Sequence, residues 1–405
     1  MIDIQSKKLC CGCGACSQIC PKRCISFVPD EEGFLYPNVN KISCIDCGLC
    51  EKVCPVLNQE NEKYPIKIYA CKNKDKNVRM NSSSGGLFTA IAEEIIKKNG
   101  VVFGVEFDRK WNVVFSHTDN IEGLKIFQGS KYVQAIVGNS YKEAEVFLKE
   151  GRLVLFSGTS CQIAGLHKYL RKQYENLVTV DFICHGVPSQ KLFSDYLNEE
   201  ILYTARRAVA GKSIVLQSLN VMPLIKGIRF RDKSYGWKKF RFVLTLAEPS
   251  GEGKKSFVLS SPLSDTSYGK CFLGDLSLRP SCYHCPAKSG KAGSDLTIAD
   301  FWGVQNYYPD FDDDKGITLA IVNNEKGEKY IPFDKLEYIE PSFEQVFEGN
   351  NGYFKSTPLN EKRRIEFWNL YNNGYGLRKI NRLMFPISMK TKIKRIIKRI
   401  FRIHG

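Results

Sequence analysis

The spacing of the cysteines constrains the N-terminal part of this chain more than any other feature does. Ten of its sixteen cysteines lie between positions 10 and 54. Eight of those ten form two copies of the pattern C-x-x-C-x-x-C-x-x-x-C, each followed by a proline. The first copy is Cys10, Cys13, Cys16 and Cys20, and the second is Cys44, Cys47, Cys50 and Cys54.

This double pattern is typical of a ferredoxin with two [4Fe–4S] clusters. Three cysteines of each run bind one cluster, and the fourth cysteine ligates the partner cluster. We therefore predict one cluster held by Cys10, Cys13, Cys16 and Cys54, and a second held by Cys44, Cys47, Cys50 and Cys20. Of the two remaining cysteines, Cys24 is interpreted as a small buried apolar residue and Cys11 as a thiol without a ligand role.

A pair of zinc knuckles is the alternative for these cysteines. Zinc sites favour two C-x-x-C pairs or cysteine mixed with histidine, and they do not require three evenly spaced ligands followed by C-P. No histidine occurs before His117. The spacing therefore favours iron–sulfur clusters over zinc.

The closely spaced cysteines and the first eight residues both indicate where in the cell the protein is located. Residues 1–8 are polar and do not resemble a signal peptide. Closely spaced cysteines in such a chain indicate metal ligands rather than disulfides. No apolar run reaches the roughly 18 residues that a membrane-spanning helix needs. We expect a cytoplasmic protein, either free or attached peripherally to the inner face of the membrane.

The body of the chain alternates strand-like and helical segments. Residues 101–105, 153–156 and 177–183 read as buried strands, and helical patterns over residues 162–172 and 188–201 follow the last two. That rhythm predicts an α/β body behind the cysteine-rich head, so that the fold class of the whole chain is α+β. Further on, residues 228–231 and 240–246 suggest antiparallel strands around Gly236.

Small-residue turns in the body are candidates for ligand contacts. Residues 81–86, Asn-Ser-Ser-Ser-Gly-Gly, precede a helical pattern, where free N–H groups accept an anion such as a pyrophosphate. Serine is also simply a good helix N-cap. Residues 156–162 and 181–189 follow strands, and ligands gather at the carboxyl ends of strands in α/β sheets. The alternative for both is an ordinary connecting turn.

Several of these motifs, in this order, resemble the beta-subunit family of coenzyme F420 hydrogenases and dehydrogenases. The resemblance covers roughly residues 66–304, and the head matches members with a ferredoxin domain fused in front. One departure is Ser160, where many members have proline. The motifs that carry the resemblance are residues 84–86, 129–134, 158–162, 184–188 and 300–303.

The resemblance implies a flavoprotein that passes electrons between iron–sulfur clusters, FAD and a second redox partner. In that family the partner includes a deazaflavin coenzyme, and relatives reduce chlorophyll-type pigments. FAD connects two-electron hydride chemistry with the one-electron steps of clusters. The resemblance places the FAD phosphates near Ser84, Gly85 and Gly86. It places the flavin or its pyrophosphate along Lys131, Tyr132, Ser157, Gly158 and Thr159.

Four body cysteines lie in or near these motifs, and we predict that they ligate a third [4Fe–4S] cluster beside the flavin. They are Cys161, Cys184, Cys282 and Cys285. The alternative is that the first two are buried small residues and that the C-x-x-C pair binds zinc or nothing. Cys71 and Cys271 have no motif around them and are interpreted as structural.

Other polar residues carry weaker predictions. His185 follows Cys184 and has a side chain suited to general acid catalysis, although a structural hydrogen-bond donor is the alternative. Arg229 and Arg231 either face an anionic ligand or form a solvated strand face, and the solvated face is the preferred interpretation.

The net charge of +16 is concentrated at the C-terminus. Residues 378–405 contain ten Lys and Arg and no acidic residue. Residues 389–403 combine isoleucines at helical spacing with basic residues, which predicts either a helix on an anionic membrane surface or one docked on the body. Aromatic residues are sparse there, so we expect no nucleic-acid binding.

These observations predict four segments. A 2[4Fe–4S] ferredoxin-like domain covers residues 1–60, a FAD-binding body residues 66–310, a C-terminal extension residues 311–377, and a basic amphipathic tail residues 378–405. The expected function is that of an iron–sulfur flavoprotein oxidoreductase acting on a small organic substrate or a deazaflavin-type coenzyme. An electron donor or acceptor protein such as a ferredoxin would serve as partner.

Two alternatives stay open. The chain could be an electron-transfer subunit that serves a partner enzyme and has no substrate of its own. The body could also have lost FAD, so that only the head is redox-active.

Overall fold

The computed structural model describes residues 1–208, 224–247 and 256–386. Its strands are β1 (Ile25–Pro29), β2 (Leu35–Val39), β3 (Lys67–Asn73), β4 (Val101–Phe107), β5 (Val113–Thr118), β6 (Val154–Ser157), β7 (Leu177–Phe182), β8 (Ile225–Asp232), β9 (Arg241–Ala247), β10 (Ser256–Pro262), β11 (Leu296–Asp300), β12 (Thr318–Val322) and β13 (Leu336–Ile339).

The helices surround these strands along the whole described chain. They are α1 (Ala15–Ile19), α2 (Leu49–Lys52), α3 (Lys76–Asn81), α4 (Leu87–Lys97), α5 (Ser140–Lys149), α6 (Ser160–Leu170), α7 (Gln190–Ala208), α8 (Ser267–Leu273), α9 (Val304–Tyr307), α10 (Glu325–Lys329), α11 (Phe343–Gly349), α12 (Glu361–Asn372) and α13 (Leu377–Met384).

An eight-stranded sheet forms the centre of the body, in the order β13-β3-β12-β11-β7-β6-β4-β5. The four strands β4, β6, β7 and β11 run parallel, and antiparallel strands extend the sheet at both edges. Parallel neighbours place their carboxyl ends at one edge of the sheet, where the turns after β6 and β7 lie. The predicted strands over residues 101–105, 153–156 and 177–183 correspond to β4, β6 and β7.

Alternate residues of the central strands face opposite layers, as the period of a strand requires. Val102 and Leu155 pack with α4 on one face, while Phe103 and Phe156 pack with α5 and α6 on the other. Burial of both faces explains why these strands read as continuous apolar runs. The α+β class predicted from the sequence is confirmed.

A three-stranded antiparallel sheet, β10-β9-β8, and a two-stranded sheet, β1-β2, complete the architecture. The two-stranded sheet belongs to the cysteine-rich head. The pairing of β8 with β9 corresponds to the predicted strands on either side of Gly236. Strands β12 and β13 lie in the central sheet although they follow residue 310, the boundary proposed for the body.

The C-terminal tail falls mostly beyond the described residues. Its first part forms α13, which buries Leu377 and Ile380 in a core cluster with residues of α8 and α12. The predicted amphipathic segment at residues 389–403 lies outside the described residues. Within the part of the chain that the structure describes, no helix has the length and apolar character needed to cross a membrane.

Candidate electron-transfer site

Two glycines shape the ligand loops of the head. Gly14 and Gly48 occupy equivalent positions in the two cysteine runs and have φ values of +78° and +70°. Each is the residue before a short helix, α1 or α2, so the chain turns from the ligand loop into the helix in a left-handed conformation that favours glycine. The two runs therefore share one local geometry.

The structure brings the fourth cysteine of the second run to the first run. Burial, followed by the nearby Cys10 and Cys54, raises the pKa of the Cys16 thiol to about 12. The same proximity acts on Cys13, which lies near Cys16 and Cys54. Cys10, Cys13, Cys16 and Cys54 thus form one set, which we call the first thiol set. Its members are those that the crossed ligand pattern predicts.

The other four cysteines of the two runs line one small cavity together with Cys24. We call Cys20, Cys44, Cys47 and Cys50 the second thiol set. The Ile2 N–H donates to Cys50 Sγ at 3.2 Å, and the Asp46 N–H donates to Cys44 Sγ at 3.4 Å. N–H···S bonds of this kind stabilise and tune thiolate-bound clusters. Cys47 is exposed, so this set borders the solvent.

Four further thiols converge in the body. Cys161 opens α6 after β6, Cys184 follows β7, and Cys282 and Cys285 lie at the 3-10 helix Pro280–His284. Burial raises the pKa of Cys184 to about 12, with contributions from Cys161 and Cys285. Cys161, Cys184 and Cys285 all lie near Cys282 and raise its pKa further. These four cysteines are the third thiol set.

Each of the three sets brings four thiols close together, which is the donor set of a [4Fe–4S] cluster. A cubane takes each thiolate at a different iron corner, so its ligands do not converge on one point as those of a single ion do. Among the described residues, no three His, Cys, Asp or Glu side chains are arranged to hold a single metal ion. The residues of each set therefore fit the cluster predicted for it.

Cys11 lies between the first and third sets. Its thiol is within hydrogen-bonding reach of Cys13 in one set and Cys161 in the other. The hydrogen bond with Cys13 and burial hold its pKa well above the usual value. The sequence marked Cys11 as a thiol without a ligand role, and its position at this junction gave no signal in the spacing.

The serine- and glycine-rich loop at residues 83–86 meets the loop at residues 129–132. The Ser130 N–H and hydroxyl both lie within hydrogen-bond distance of Ser83 Oγ, at 2.6 and 2.9 Å. Gly86 has φ +87° and is the N-cap of α4. The Ser84 hydroxyl donates to Ile317 O at 2.7 Å, and the Gly85 N–H donates to Thr318 Oγ1 at 2.7 Å, so these two groups are already bonded within the protein.

Aromatic and basic side chains continue from this loop. The Tyr132 ring stacks on Phe272 with centroids 5.2 Å apart. Burial lowers the pKa of Lys131 to about 8, and its Nζ donates to Ile126 O at 3.1 Å. Lys233, which the sequence did not single out, donates to three backbone carbonyls, those of Arg79, Ser84 and Lys315, at 2.5, 2.9 and 2.7 Å. Burial and the charges of two arginines lower its pKa to about 7.

The solvated strand face that the sequence favoured for Arg231 is wrong. Its side chain is 3% exposed and forms an ion pair with Asp300, which also accepts a hydrogen bond from Trp237 Nε1 at 3.0 Å. Arg231 Nε and Nη2 find no hydrogen-bond acceptor among the described residues. Arg229 is exposed and pairs with Asp232, as expected for a solvated face. Hydrophobic strand residues around Arg231 concealed its burial from the sequence.

The basic side chains near this loop fit an anionic cofactor. Lys233 contacts the loop at residues 83–86 through Ser84 O, and Lys131 follows Ser130 in the adjoining loop. Two guanidinium nitrogens of Arg231, which lies near Lys233, are buried without an acceptor within the described chain. A pyrophosphate supplies acceptors and negative charge in such a place. Tyr132 offers an aromatic face beside it. The residues present therefore fit FAD phosphates.

The turn after β6 lies on the side of the third thiol set. Thr159 caps α6 through a capping box with Gln162, and its hydroxyl is 3.2 Å from Cys161 Sγ. The Gly158 N–H donates to Val180 O at 3.1 Å. Ser157 ends β6 just before them. For these three residues a role toward FAD stays a prediction.

His185 sits between the third thiol set and Tyr132. Its Nε2 is 2.7 Å from Asp275 Oδ1, and its ring meets Phe272 edge-on with centroids 5.2 Å apart. Phe272 in turn stacks on Tyr132. The side chain is 44% exposed, so it can exchange protons with solvent. A catalytic role for His185 stays a prediction.

Two segments of the chain match known protein families. Residues 9–58 match the model of a 4Fe-4S dicluster domain, and residues 151–340 match that of the C terminus of the beta subunit in coenzyme F420 hydrogenase/dehydrogenase. The chain thus combines a 4Fe–4S dicluster domain at residues 9–58 with a segment, residues 151–340, that matches the C-terminal region of the coenzyme F420 hydrogenase/dehydrogenase beta subunit. The resemblance deduced from the motifs is confirmed. The chain is an iron–sulfur protein with a role in electron transfer.

One similar solved structure is a chain in the xenon-derivatised F420-reducing [NiFe] hydrogenase complex from Methanosarcina barkeri. It is 14% identical, the match covers 77% of this chain and 94% of that chain, and the TM-score is 0.44. The search of curated proteins gave no match.

Proposed function

We propose that the chain is an FAD-dependent iron–sulfur oxidoreductase that moves electrons between a protein partner at its head and a small organic substrate at its body. The observation that carries the proposal is the order of the three thiol sets. The second set borders solvent, the first set lies next to it in the head, and Cys11 connects the first set to Cys161 of the third. Such a series of sites gives single electrons a path into the body.

The residues around Tyr132 would hold FAD at the inner end of that path. Arg231, Lys233 and Lys131 would neutralise its phosphates, and Tyr132 would lie against the cofactor. When bound, FAD supplies the exchange between single-electron and hydride chemistry. His185 would deliver or accept a proton beside the site, with Asp275 orienting its ring through Nε2.

The partner would dock at the second thiol set. Ile42 and Ile45 flank Cys44 and are 98% and 57% exposed. Isolated apolar side chains next to an exposed ligand loop suit the small, transient interfaces of electron-transfer proteins. A ferredoxin-like protein would therefore exchange electrons with the chain near Cys47.

The first experiment measures iron, acid-labile sulfide and flavin in protein purified without oxygen. About twelve irons and one FAD per chain are expected, at four irons per four-cysteine set. Cys184→Ala should lower the iron count to about eight. Cys71→Ala, which alters a fully buried cysteine outside the three sets, should leave it unchanged.

The result also separates the alternatives. About eight irons with FAD in the unaltered chain would remove the third cluster from the proposal. About eight irons without flavin would contradict the oxidoreductase and leave an electron carrier. Twelve irons and FAD, with no turnover of any small molecule, would favour an electron-transfer subunit for a partner enzyme.

A further inference from the structure

Arg279 joins the loops of two thiol sets. Its main chain belongs to the third set: the Arg279 N–H donates to Val187 O at 2.9 Å, close to Cys184, and Arg279 O accepts from the Cys282 N–H at 2.8 Å. Its side chain extends away from that set toward the head. One residue therefore contacts the ligand loops of both the first and the third sets.

The guanidinium of Arg279 is enclosed by the first ligand loop. Nε donates to Cys10 O at 2.7 Å, and Nη2 lies 3.4 Å from Cys10 Sγ. Nη2 also donates to Leu35 O at 3.0 Å, and Nη1 donates to Gln134 Oε1 at 3.0 Å. A Cβ at Gly12 would lie 2.9 Å from Nη1, so the guanidinium is packed directly on the loop backbone.

Arg279 has no carboxylate among these partners. The arginines that are buried among the described residues are Arg79, Arg231 and Arg279. Arg79 pairs with Asp313, and Arg231 pairs with Asp300. Arg279 is 1% exposed, and the acceptors of its hydrogen bonds are two carbonyls, an amide oxygen and a cysteine sulfur.

A buried cation is costly unless an opposite charge compensates it. The partner of Arg279 that can carry negative charge is Cys10, which is a thiolate when it ligates iron. The positive charge is thus placed against one ligand of the first cluster. Reduction adds one negative charge to a cluster, so a cation at this position stabilises the reduced form relative to the oxidised form.

We propose that Arg279 is a positioning residue that raises the reduction potential of the cluster held by the first thiol set, through its charge beside Cys10. The inference rests on the ligand set proposed above. By the same contacts Arg279 fixes the first and third sets relative to each other. Its charge makes the inner cluster of the head a better electron acceptor for the exposed second cluster.

The test is a redox titration of the purified chain followed by electron paramagnetic resonance, with iron counted in every sample. Arg279→Gln removes the charge and keeps a hydrogen-bonding side chain. Arg279→Lys keeps the charge and loses the forked geometry. The matched control is the double variant Glu32→Gln/Arg364→Gln, which removes a neutral ion pair from the same contact between head and body.

We expect Arg279→Gln to shift the midpoint potential of one cluster to more negative values. The potential of the cluster at the third set, whose Cys161 and Cys282 also lie near Arg279, should shift less, and the potential of the second cluster and the iron content should stay in place. Arg279→Lys and the double variant should leave that potential much closer to that of the unaltered chain.

Unchanged potentials in Arg279→Gln, at full iron content, would overturn the inference. An equal shift of all clusters, or the same loss of four irons in Arg279→Gln and Arg279→Lys, would also overturn it, because each indicates a structural role. An unaltered chain with eight irons contradicts the third cluster of the proposed function. The first cluster then still titrates, so the two failures can be told apart.

Discussion

Gly12 allows a quantitative test of how tightly the head is packed on the body. It has φ +70°, and a Cβ added there would lie 2.7 Å from Gln134 Nε2 and 2.9 Å from Arg279 Nη1. Neither side chain can move away freely. Gln134 Nε2 donates to Cys11 O at 3.1 Å, and the Arg279 guanidinium is held by four hydrogen-bond contacts.

Gly48 supplies the matched control. It also has φ +70°, but a Cβ there would meet nothing within 4 Å. Alanine in a left-handed conformation costs about 1–2 kcal/mol at either position. Crowding adds about 1–3 kcal/mol at Gly12 alone. The difference between Gly12→Ala and Gly48→Ala is therefore about 1–3 kcal/mol, or roughly 5–150-fold in an equilibrium constant.

Release of iron to a ferrous chelator under anaerobic conditions measures this difference, because the cluster becomes accessible when its loop opens locally. We expect the acceleration of iron release over the unaltered chain to be roughly 5–150-fold larger in Gly12→Ala than in Gly48→Ala. The accelerated phase should account for one cluster, identified by its paramagnetic signal. Equal accelerations over the unaltered chain in the two variants would refute close packing of Arg279 and Gln134 on the first loop.

Three further predictions concern the body and the partner surface. Asp300→Asn leaves Arg231 buried without a countercharge and should lower the free energy of unfolding by about 3–5 kcal/mol in a denaturant titration. The control is Asp232→Asn, beside exposed Arg229, which should lower the free energy of unfolding by less than about 1 kcal/mol. FAD affinity, measured by flavin fluorescence, should weaken as the pH rises above about 7, because the charged form of Lys233 attracts phosphate and its pKa is about 7. Lys233→Met should flatten that profile. Ile42→Asp should reduce kcat/KM with a protein electron donor and leave the rate with dithionite unchanged. An equal loss of rate with the protein donor and with dithionite would contradict docking at Ile42.

The sequence predicted those features that depend on local pattern. The cysteine runs repeat at a fixed spacing, and the central strands are apolar on both faces, so clusters and an α/β body followed from residue order alone. The turns after β6 and β7 carry Cys161 and Cys184, and parallel pairing of these strands brings the two cysteines together. The sequence alone does not show that Cys282 and Cys285 lie close to these two cysteines; only the three-dimensional structure does.

The features that escaped prediction depend on tertiary contacts between distant residues. Arg231 lies on a strand that reads as half solvated, and its burial results from Asp300, which is 69 residues away. Arg279 and Cys10 are separated by 269 residues. No local pattern predicts such a pairing, because the sequence does not show whether an arginine is solvated or lies beside a cysteine.

The contacts at the junction also bear on how the head works. Residues 57–64, which connect the head to the body, are exposed, and their ion pairs Glu60–Lys168 and Glu62–Lys291 are of the surface kind that contributes little. The head is held instead by buried groups: Arg279 on the first ligand loop, and the Ser189 hydroxyl on Glu32 O at 2.6 Å. Two of the elements that make these contacts, the segment after β7 and the loop before Cys282, also carry cysteines of the third thiol set. The separation of the first and third sets is therefore determined by packing rather than by the linker, so on the proposed path electrons would pass between packed sets and not by a tethered domain that moves between sites.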